Sequence, residues 1–201
     1  MTSLKIVTCF FLAVAVLEAR KLKKMDITGA SDPYVKLKLF DQKQKRIGKK
    51  KKTSVKSCNL NPYWNESFVF IIEEMEMKRV TLDITVKPRI CAKVRIIICI
   101  FYQVCDYDLI GGGDPIGKIK LGWSQNKEYK PGFKHWKEAL ENPRRPIIKW
   151  HVLQVSLGHR STHFIIFFIS FLLNNISSDQ EINPPVSKRL CNSIVASSRI
   201  L

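Results

Sequence analysis

The chain has 201 residues, of which 45% are hydrophobic, and its 34 Lys and Arg residues outnumber 17 Asp and Glu residues, giving a formal net charge of +17. This length fits one domain of ordinary size with tails and argues against two full domains. The positive charge favours anionic partners, either phospholipid head groups or nucleic acid. It is concentrated between positions 20 and 56, where fourteen basic residues accompany three acidic ones.

The first apolar run, residues 6–17, has two interpretations. It resembles the core of a signal peptide, but no small-residue cleavage pattern precedes Glu18, so a buried strand is favoured. Residues 1–11 are accordingly either an N-terminal segment or a first strand, and the predicted domain covers residues 12–154. A second apolar run, residues 163–173, is about half of the roughly 20 residues that a membrane-spanning helix needs, so no transmembrane segment is predicted.

Short runs rich in Val, Ile, Phe or Thr predict β-strands, and Gly, Pro, Asn and Asp between them supply turns. This alternation of short strands and turns predicts an all-β antiparallel sandwich. One helix is predicted at residues 134–141, ended by Asn142-Pro143. The predicted strands are 13–17, 34–40, 53–57, 66–72 and 80–86.

Two regions depart from this plan. Residues 86–103 carry basic residues and then a dense apolar stretch, and the rhythm of strands and turns is lost after Gln154. The cysteines show no spacing typical of a disulfide framework or a zinc site, so a reducing compartment is expected. They are Cys9, Cys58, Cys91, Cys99, Cys105 and Cys191.

Aspartates form two clusters in this basic chain. Asp26 and Asp32 come early, and Asp106, Asp108 and Asp114 follow about eighty positions later. Calcium takes six to eight oxygen ligands, and two Asp-rich loops that meet at one end of a sandwich would supply them. The alternative is that these residues cap turns, a common role of Asp.

Aliphatic residues follow the acidic ones directly. Ile27 follows Asp26, and Leu109 and Ile110 follow Asp108. A loop tip of this kind is suited to insertion into a lipid interface once the neighbouring negative charge is neutralised. The alternative is a loop residue that folds back onto the core.

The strongest electrostatic feature is the run Lys49, Lys50, Lys51 and Lys52. Such a cluster is typical of binding to phosphatidylserine or phosphoinositide. A nuclear-targeting or nucleic-acid patch has the same composition, and a solvated sheet edge is a third reading.

A second basic site is the pair Arg144-Arg145, which lies between two prolines. The pair is suited to bidentate contacts with carboxylate or phosphate, and the alternative is a structural salt bridge. The histidines have no nucleophile at a catalytic spacing, so no enzyme is predicted.

Taken together, these residues resemble the second C2 domain of the synaptotagmins. The most specific matches are S-D-P-Y-V-K at 31–36 and N-P-R-R-P at 142–146, followed by W-H-x-L at 150–153. Further matching segments are 17–26, 49–53, 60–68, 106–108, 116–118 and 135–136.

The resemblance implies an eight-stranded Greek-key β-sandwich that binds Ca²⁺ between loops at one end. It implies a peripheral protein on the cytoplasmic face of a vesicle or the plasma membrane, acting in regulated exocytosis. Its partners would be phosphatidylserine, phosphatidylinositol bisphosphate and SNARE proteins such as syntaxin, with no nucleic acid. The metal ligands that the resemblance implies are Asp26, Asp32, Asp106, Asp108 and Asp114, with the carbonyls of Met25 and Tyr107. The membrane-inserting residues that it implies are Ile27 and Ile110. The residues that it implies for contacts with phosphoinositide and SNARE proteins are Lys49, Lys50, Lys51, Lys52, Arg144 and Arg145.

The chain departs from the family pattern in three ways. The family's membrane anchor and first C2 domain have no counterpart, and neither does its first strand unless residues 3–11 supply it. Residues 86–103, 18 positions, interrupt the family's spacing, which Thr85 followed by Val104 restores. Residues 155–201 match nothing in the family and are expected to be disordered. We hypothesise that the insert and this tail are translated intron sequence.

Two functions follow from these alternatives. The first is calcium-dependent binding to anionic membranes. The second is a calcium-independent interaction module that uses only the lysine run and the arginine pair, because the insert prevents the two acidic clusters from meeting. The insert also has a structural alternative, in which residues 95–104 replace residues 80–86 as the strand that leads to the second aspartate cluster.

Overall fold

The computed structural model describes residues 7–23, 31–73, 79–89, 115–122, 130–154 and 163–176. These residues form eight β-strands and one α-helix. No helix among them is long and apolar enough to cross a bilayer. In chain order the elements are β1 (Val7–Arg20), β2 (Pro33–Phe40), β3 (Arg46–Lys52), β4 (Tyr63–Glu73), β5 (Thr81–Pro88), β6 (Gly117–Gly122), α1 (Lys130–Glu141), β7 (Ile147–Val152) and β8 (Phe164–Ile176).

The strands form two four-stranded sheets, in the orders β4-β1-β8-β7 and β3-β2-β5-β6. Every pair of neighbouring strands is antiparallel. The predicted all-β antiparallel sandwich with one helix is therefore confirmed.

Alternation of apolar and polar residues explains the central strands β2 and β5. Val35, Leu37 and Leu39 of β2 are buried in the core, as are Leu82 and Ile84 of β5. The residues between them are half-buried on the opposite face of the sheet. Because side chains alternate across a strand, one face packs against the second sheet and the other meets solvent.

The helix α1 begins four residues earlier than predicted. Pro131 lies in its first turn, where a missing N–H costs little. Gly132 packs against β6, and a Cβ at this position would lie 2.0 Å from the carbonyl oxygen of Lys120. The helix ends at Glu141 as predicted, and Asn142 N–H donates to the Glu138 carbonyl oxygen at 3.1 Å.

The strand predicted at residues 53–57 is wrong, since β3 ends at Lys52. Thr53 is buried, and its hydroxyl accepts the Val35 N–H at 2.9 Å and donates to the Ser54 carbonyl oxygen at 3.0 Å. The hydroxyl thus takes the place of a ladder hydrogen bond. The lysine run instead occupies the edge strand β3, where charged side chains remain in solvent.

The first residues of the insert extend β5 instead of displacing it. Val86 is fully buried and lies opposite Val35 of β2 and Gly117 of β6. The proposed replacement of residues 80–86 is therefore wrong, because these residues keep their place between two neighbours. Residues 90–114, which hold the rest of the insert, lie outside the described part of the chain.

The domain boundary predicted at Gln154 is too early. Strand β8 lies between β1 and β7 in the middle of its sheet, and Phe167 and Phe171 are buried in the core. Phe168 and Ser170, on the opposite face of β8, are buried as well. A strand buried on both faces reads as a continuous apolar run without alternation, which is why the sequence rhythm is lost there.

The apolar run at residues 6–17 forms part of β1 from Val7 onward, so the strand interpretation is confirmed over the described residues. The strand is longer than the predicted 13–17 and continues to Arg20. Its two neighbours, β4 and β8, pair with it along most of its length.

Candidate functional site

Part of the predicted site lies within the described residues. Asp32, the four lysines of β3 and the pair Arg144-Arg145 are described. The other predicted site residues lie outside the described ranges: Met25, Asp26, Ile27, Asp106, Tyr107, Asp108, Ile110 and Asp114.

Asp32 is held by hydrogen bonds from two other segments. Its Oδ1 accepts the Cys58 N–H at 2.9 Å. Its carbonyl oxygen accepts the Arg89 N–H at 2.7 Å. The side chain is half-buried, and its carboxylate is oriented by a neutral donor, with no cation among its described partners. A carboxylate fixed in this way retains lone pairs for a hard cation.

The segments that carry the other aspartates leave from the same end of the sandwich. The described residues on either side of positions 24–30 are in contact, because the Ser31 hydroxyl donates to the Lys23 carbonyl oxygen at 3.1 Å. Residues 90–114 begin after Arg89, beside Asp32, and the chain returns where Ile116 N–H donates to the Val86 carbonyl oxygen at 2.9 Å. The described residues themselves hold no group of three or more potential metal ligands.

The outer face of the sheet β3-β2-β5-β6 carries lysines from all four strands. Lys36 lies opposite Lys52 on one side and Thr85 on the other. Thr85 and Asp83 in turn lie opposite Lys118 and Lys120. Since opposed residues share a face, these lysines form one surface, which we call the basic face. Its members are Lys36, Lys38, Lys50, Lys52, Lys87, Lys118 and Lys120.

The charges of the basic face affect one another. The pKa of Lys36 is lowered, first by partial burial and then by Lys38, Lys87, Lys50 and Lys52. The pKa of Asp83 is raised by burial, which the attraction of Lys120, Lys118 and Lys38 partly offsets. Such a concentration of like charge favours binding of a polyvalent anion.

Strand alternation divides the predicted lysine run. Lys52 lies on the basic face, and Lys50, two residues earlier, shares it. Lys51 lies opposite Leu37 and is half-buried, whereas Lys49 is exposed. Five members of the basic face were not predicted as site residues: Lys36, Lys38, Lys87, Lys118 and Lys120. The alternating lysines at 36 and 38 and at 118 and 120 were the available signal.

The arginine pair lies at the opposite end of the sandwich from Asp32, in the turn between α1 and β7. Both side chains are exposed. Arg144 has a φ of 66° and donates its N–H to the Phe171 carbonyl oxygen at 2.9 Å. The turn is therefore fixed by β8 and presents the pair to solvent, separate from the basic face.

Known proteins resemble this chain in sequence and in fold. Residues 11–90 match the C2 domain family. Synaptotagmin-1 of Aplysia californica is 46% identical over 143 residues, which are 71% of this chain and 28% of that protein. Synaptotagmin-1 of Rattus norvegicus is 44% identical over 144 residues, 72% of this chain and 29% of that protein. The chain thus spans less than a third of the length of these relatives.

Two solved structures share the fold at low sequence identity. A single C2 domain of plant extended synaptotagmin 1 has a TM-score of 0.55 at 23% identity, and the match covers 87% of this chain and 99% of that domain. Human GIVD cytosolic phospholipase A2 has a TM-score of 0.52 at 21% identity, over 84% of this chain and 18% of that chain. At these identities the likeness concerns the fold alone.

Proposed function

Because the chain belongs to the synaptotagmin family and contains a C2 domain, we propose that it is a calcium-dependent module for binding anionic phospholipid membranes. The observation that carries this proposal is the position of Asp32. It is hydrogen-bonded to Arg89 and Cys58 at the end of the sandwich from which both acidic segments leave. Asp32 is thereby near the base of each segment.

The proposed calcium ligands are oxygen donors, which suit this hard cation. They come from Asp32, from residues 24–30 and from residues 90–114. Bound calcium would supply positive charge that cancels the repulsion between the carboxylates. The proposed ligands are the side chains of Asp26, Asp32, Asp106, Asp108 and Asp114 and the carbonyls of Met25 and Tyr107.

Membrane contact is proposed to have two parts. Ile27 and Ile110 enter the lipid interface after the neighbouring carboxylates are neutralised. The basic face and the exposed lysines of β3 bind phosphatidylserine and phosphatidylinositol bisphosphate, at about 1 kcal/mol for each lysine near the surface. The isoleucines act at one end of the sandwich, and the lysines act on the outer face and edge of one sheet.

The further proposal is a non-enzymatic role in vesicle trafficking and exocytosis, at the cytoplasmic face of a vesicle or the plasma membrane. SNARE proteins such as syntaxin would be bound by two separate basic surfaces. Lys49, Lys50, Lys51 and Lys52 lie on the edge strand β3, while Arg144 and Arg145 lie at the far end of the domain. Acidic partners fit both surfaces by charge.

Calorimetric titration of the chain with Ca²⁺, with and without phosphatidylserine liposomes, tests the main proposal. We expect heat of binding, and tighter binding of calcium when liposomes are present, because each ligand stabilises the state that binds the other. Absence of heat together with calcium-independent liposome binding would contradict it.

The second candidate, a calcium-independent phosphoinositide and protein interaction module, is favoured by one observation. The basic face is built entirely from strands β2, β3, β5 and β6, whose hydrogen bonding does not depend on the acidic segments. Flotation with phosphatidylinositol bisphosphate liposomes in the presence of a calcium chelator distinguishes the two candidates. Full binding in chelator favours the second.

A further inference from the structure

His163 immediately precedes β8, within residues 155–201, which were predicted to be a tail. Its Nδ1 forms a hydrogen bond with the carbonyl oxygen of Lys21, 142 positions earlier in the chain. A carbonyl oxygen only accepts hydrogen bonds, so Nδ1 carries the proton and donates. The C-terminal strand thus begins with a direct contact to the end of β1.

Lys21 occupies an unusual backbone conformation, with a φ of 55°. This left-handed region is unfavourable for a residue with a side chain, so surrounding contacts must hold it. Its N–H donates to Asn61 Oδ1 at 2.9 Å, and its carbonyl accepts from His163. Side chains from two distant segments therefore hold both backbone polar groups of Lys21.

This residue lies where the chain leaves β1 for the first acidic segment. Leu22 N–H donates to the Leu60 carbonyl oxygen at 3.0 Å, and the Lys23 carbonyl accepts from the Ser31 hydroxyl at 3.1 Å. Asp32 follows Ser31 directly. Lys21 therefore lies two residues before the Lys23 carbonyl that joins the two ends of this segment.

His163 is itself held firmly in place. The Leu153 N–H donates to the His163 carbonyl oxygen at 2.8 Å, joining the end of β7 to the start of β8. The next residue, Phe164, lies opposite both Arg20 and Val152 in the sheet. Because neighbours on both sides fix its backbone, His163 is a fixed hydrogen-bond donor for the Lys21 carbonyl oxygen.

We propose that His163 is a positioning residue for the proposed calcium site, holding Lys21 in the left-handed conformation from which the chain continues through Lys23 into the first acidic segment. The inference rests on the proposed calcium-binding function. It adds that β8, which the family resemblance does not cover, contributes to that site. The effect acts through Lys21, without contact between His163 and the ion.

Two variants of the full chain test this inference. His163→Phe keeps an aromatic ring and removes the donor, whereas His163→Asn keeps a side-chain N–H donor. Loss of one such hydrogen bond corresponds to about a fivefold effect. We expect calcium affinity to fall about fivefold in His163→Phe and to recover, at least in part, in His163→Asn. We also expect faster amide hydrogen exchange at Leu22 in His163→Phe.

Ile166→Ala is the matched control, because it weakens β8 at a half-buried position and leaves His163 intact. It should lower the melting temperature without lowering calcium affinity at a temperature where the chain is folded. Equal loss of calcium affinity in Ile166→Ala and His163→Phe would assign His163 a purely structural role and overturn the inference.

Two further outcomes separate this inference from the proposed function. If the unaltered chain binds calcium and His163→Phe binds it equally well, the inference alone is wrong. If the unaltered chain binds no calcium, the proposed function is wrong and the positioning role falls with it. Unchanged exchange at Leu22 in His163→Phe would overturn the inference in either case.

Discussion

His135 Nδ1 lies 2.8 Å from His151 Nε2 in the core of the domain, between α1 and β7. His135 Nε2 lies 2.7 Å from the Ile147 carbonyl oxygen and must donate to it. In the neutral ring Nδ1 is then an acceptor, so His151 Nε2 donates to it. Phe167 of β8 stacks on both rings, with centroids 5.3 Å from His135 and 4.7 Å from His151.

This pair predicts loss of stability in acid. Burial lowers the pKa of His135 to about 4 and that of His151 to about 3, against about 6.5 in the unfolded chain. The unfolded state therefore binds more protons below that value. The stabilisation is fully present above about pH 6.5 and is lost as the pH falls toward the folded values, because unfolding then takes up protons.

Urea unfolding at pH 7.5, 6 and 5 measures this dependence. Ile166→Ala serves as control, because it removes no titratable group, so the slope with pH should match that of the unaltered chain. A free energy of unfolding that stays constant between pH 7.5 and 5 would contradict the prediction.

Replacement of Asp32 by Asn should weaken calcium binding at least about tenfold, because a ligand charge is removed while Oδ1 can still accept from Cys58. Asp41→Asn is a matched control. Asp41 Oδ1 accepts the Lys45 N–H at 2.8 Å in the hairpin between β2 and β3, away from Asp32. Calorimetry with Ca²⁺ should show a loss in Asp32→Asn alone, and equal affinities would exclude Asp32 as a ligand.

The double variant Lys36→Gln, Lys52→Gln should lower affinity for phosphatidylinositol bisphosphate liposomes about tenfold or more, since these lysines lie opposite each other on the basic face. Lys43→Gln with Lys137→Gln removes the same charge from exposed positions on the β2–β3 turn and on α1. Liposome co-sedimentation at two salt concentrations compares them. Equal losses would show that net charge, and not the face, determines binding.

Phe167→Ala should destabilise the domain by about 3 to 5 kcal/mol, because this fully buried ring packs against both histidines. Val152→Ala on β7, where the side chain is 49% exposed, should cost far less. Denaturant unfolding gives both values. If residues beyond Gln154 lay outside the domain, Phe167→Ala would have no effect.

Deletion of residues 86–103 should increase calcium affinity. Val104 and Cys105 would then continue β5 directly after Thr85, so that Asp106 follows the strand that ends beside Asp32. Calorimetry on the shortened and unaltered chains measures the change. Unchanged or weaker binding would show that the insert does not separate the acidic clusters.

Strands β2 and β5 were predictable because alternation of apolar and polar residues is a local property of the chain. The position of β8 was not, because a run that is apolar at every position gives no indication of its partners. Likewise, Lys36 and Lys38 were visible as alternating lysines, but their assembly with Lys87 and Lys118 depended on which strands pair.

The sequence by itself determined the sandwich class, the presence of five clustered aspartates and the charge of β3, since composition and periodicity specify these features. Only the tertiary structure decided that Arg89 meets Asp32, that lysines from four strands share one face and that His163 holds Lys21. These relationships join residues up to 142 positions apart. They follow from strand order and register, which long-range packing selects and no local pattern encodes.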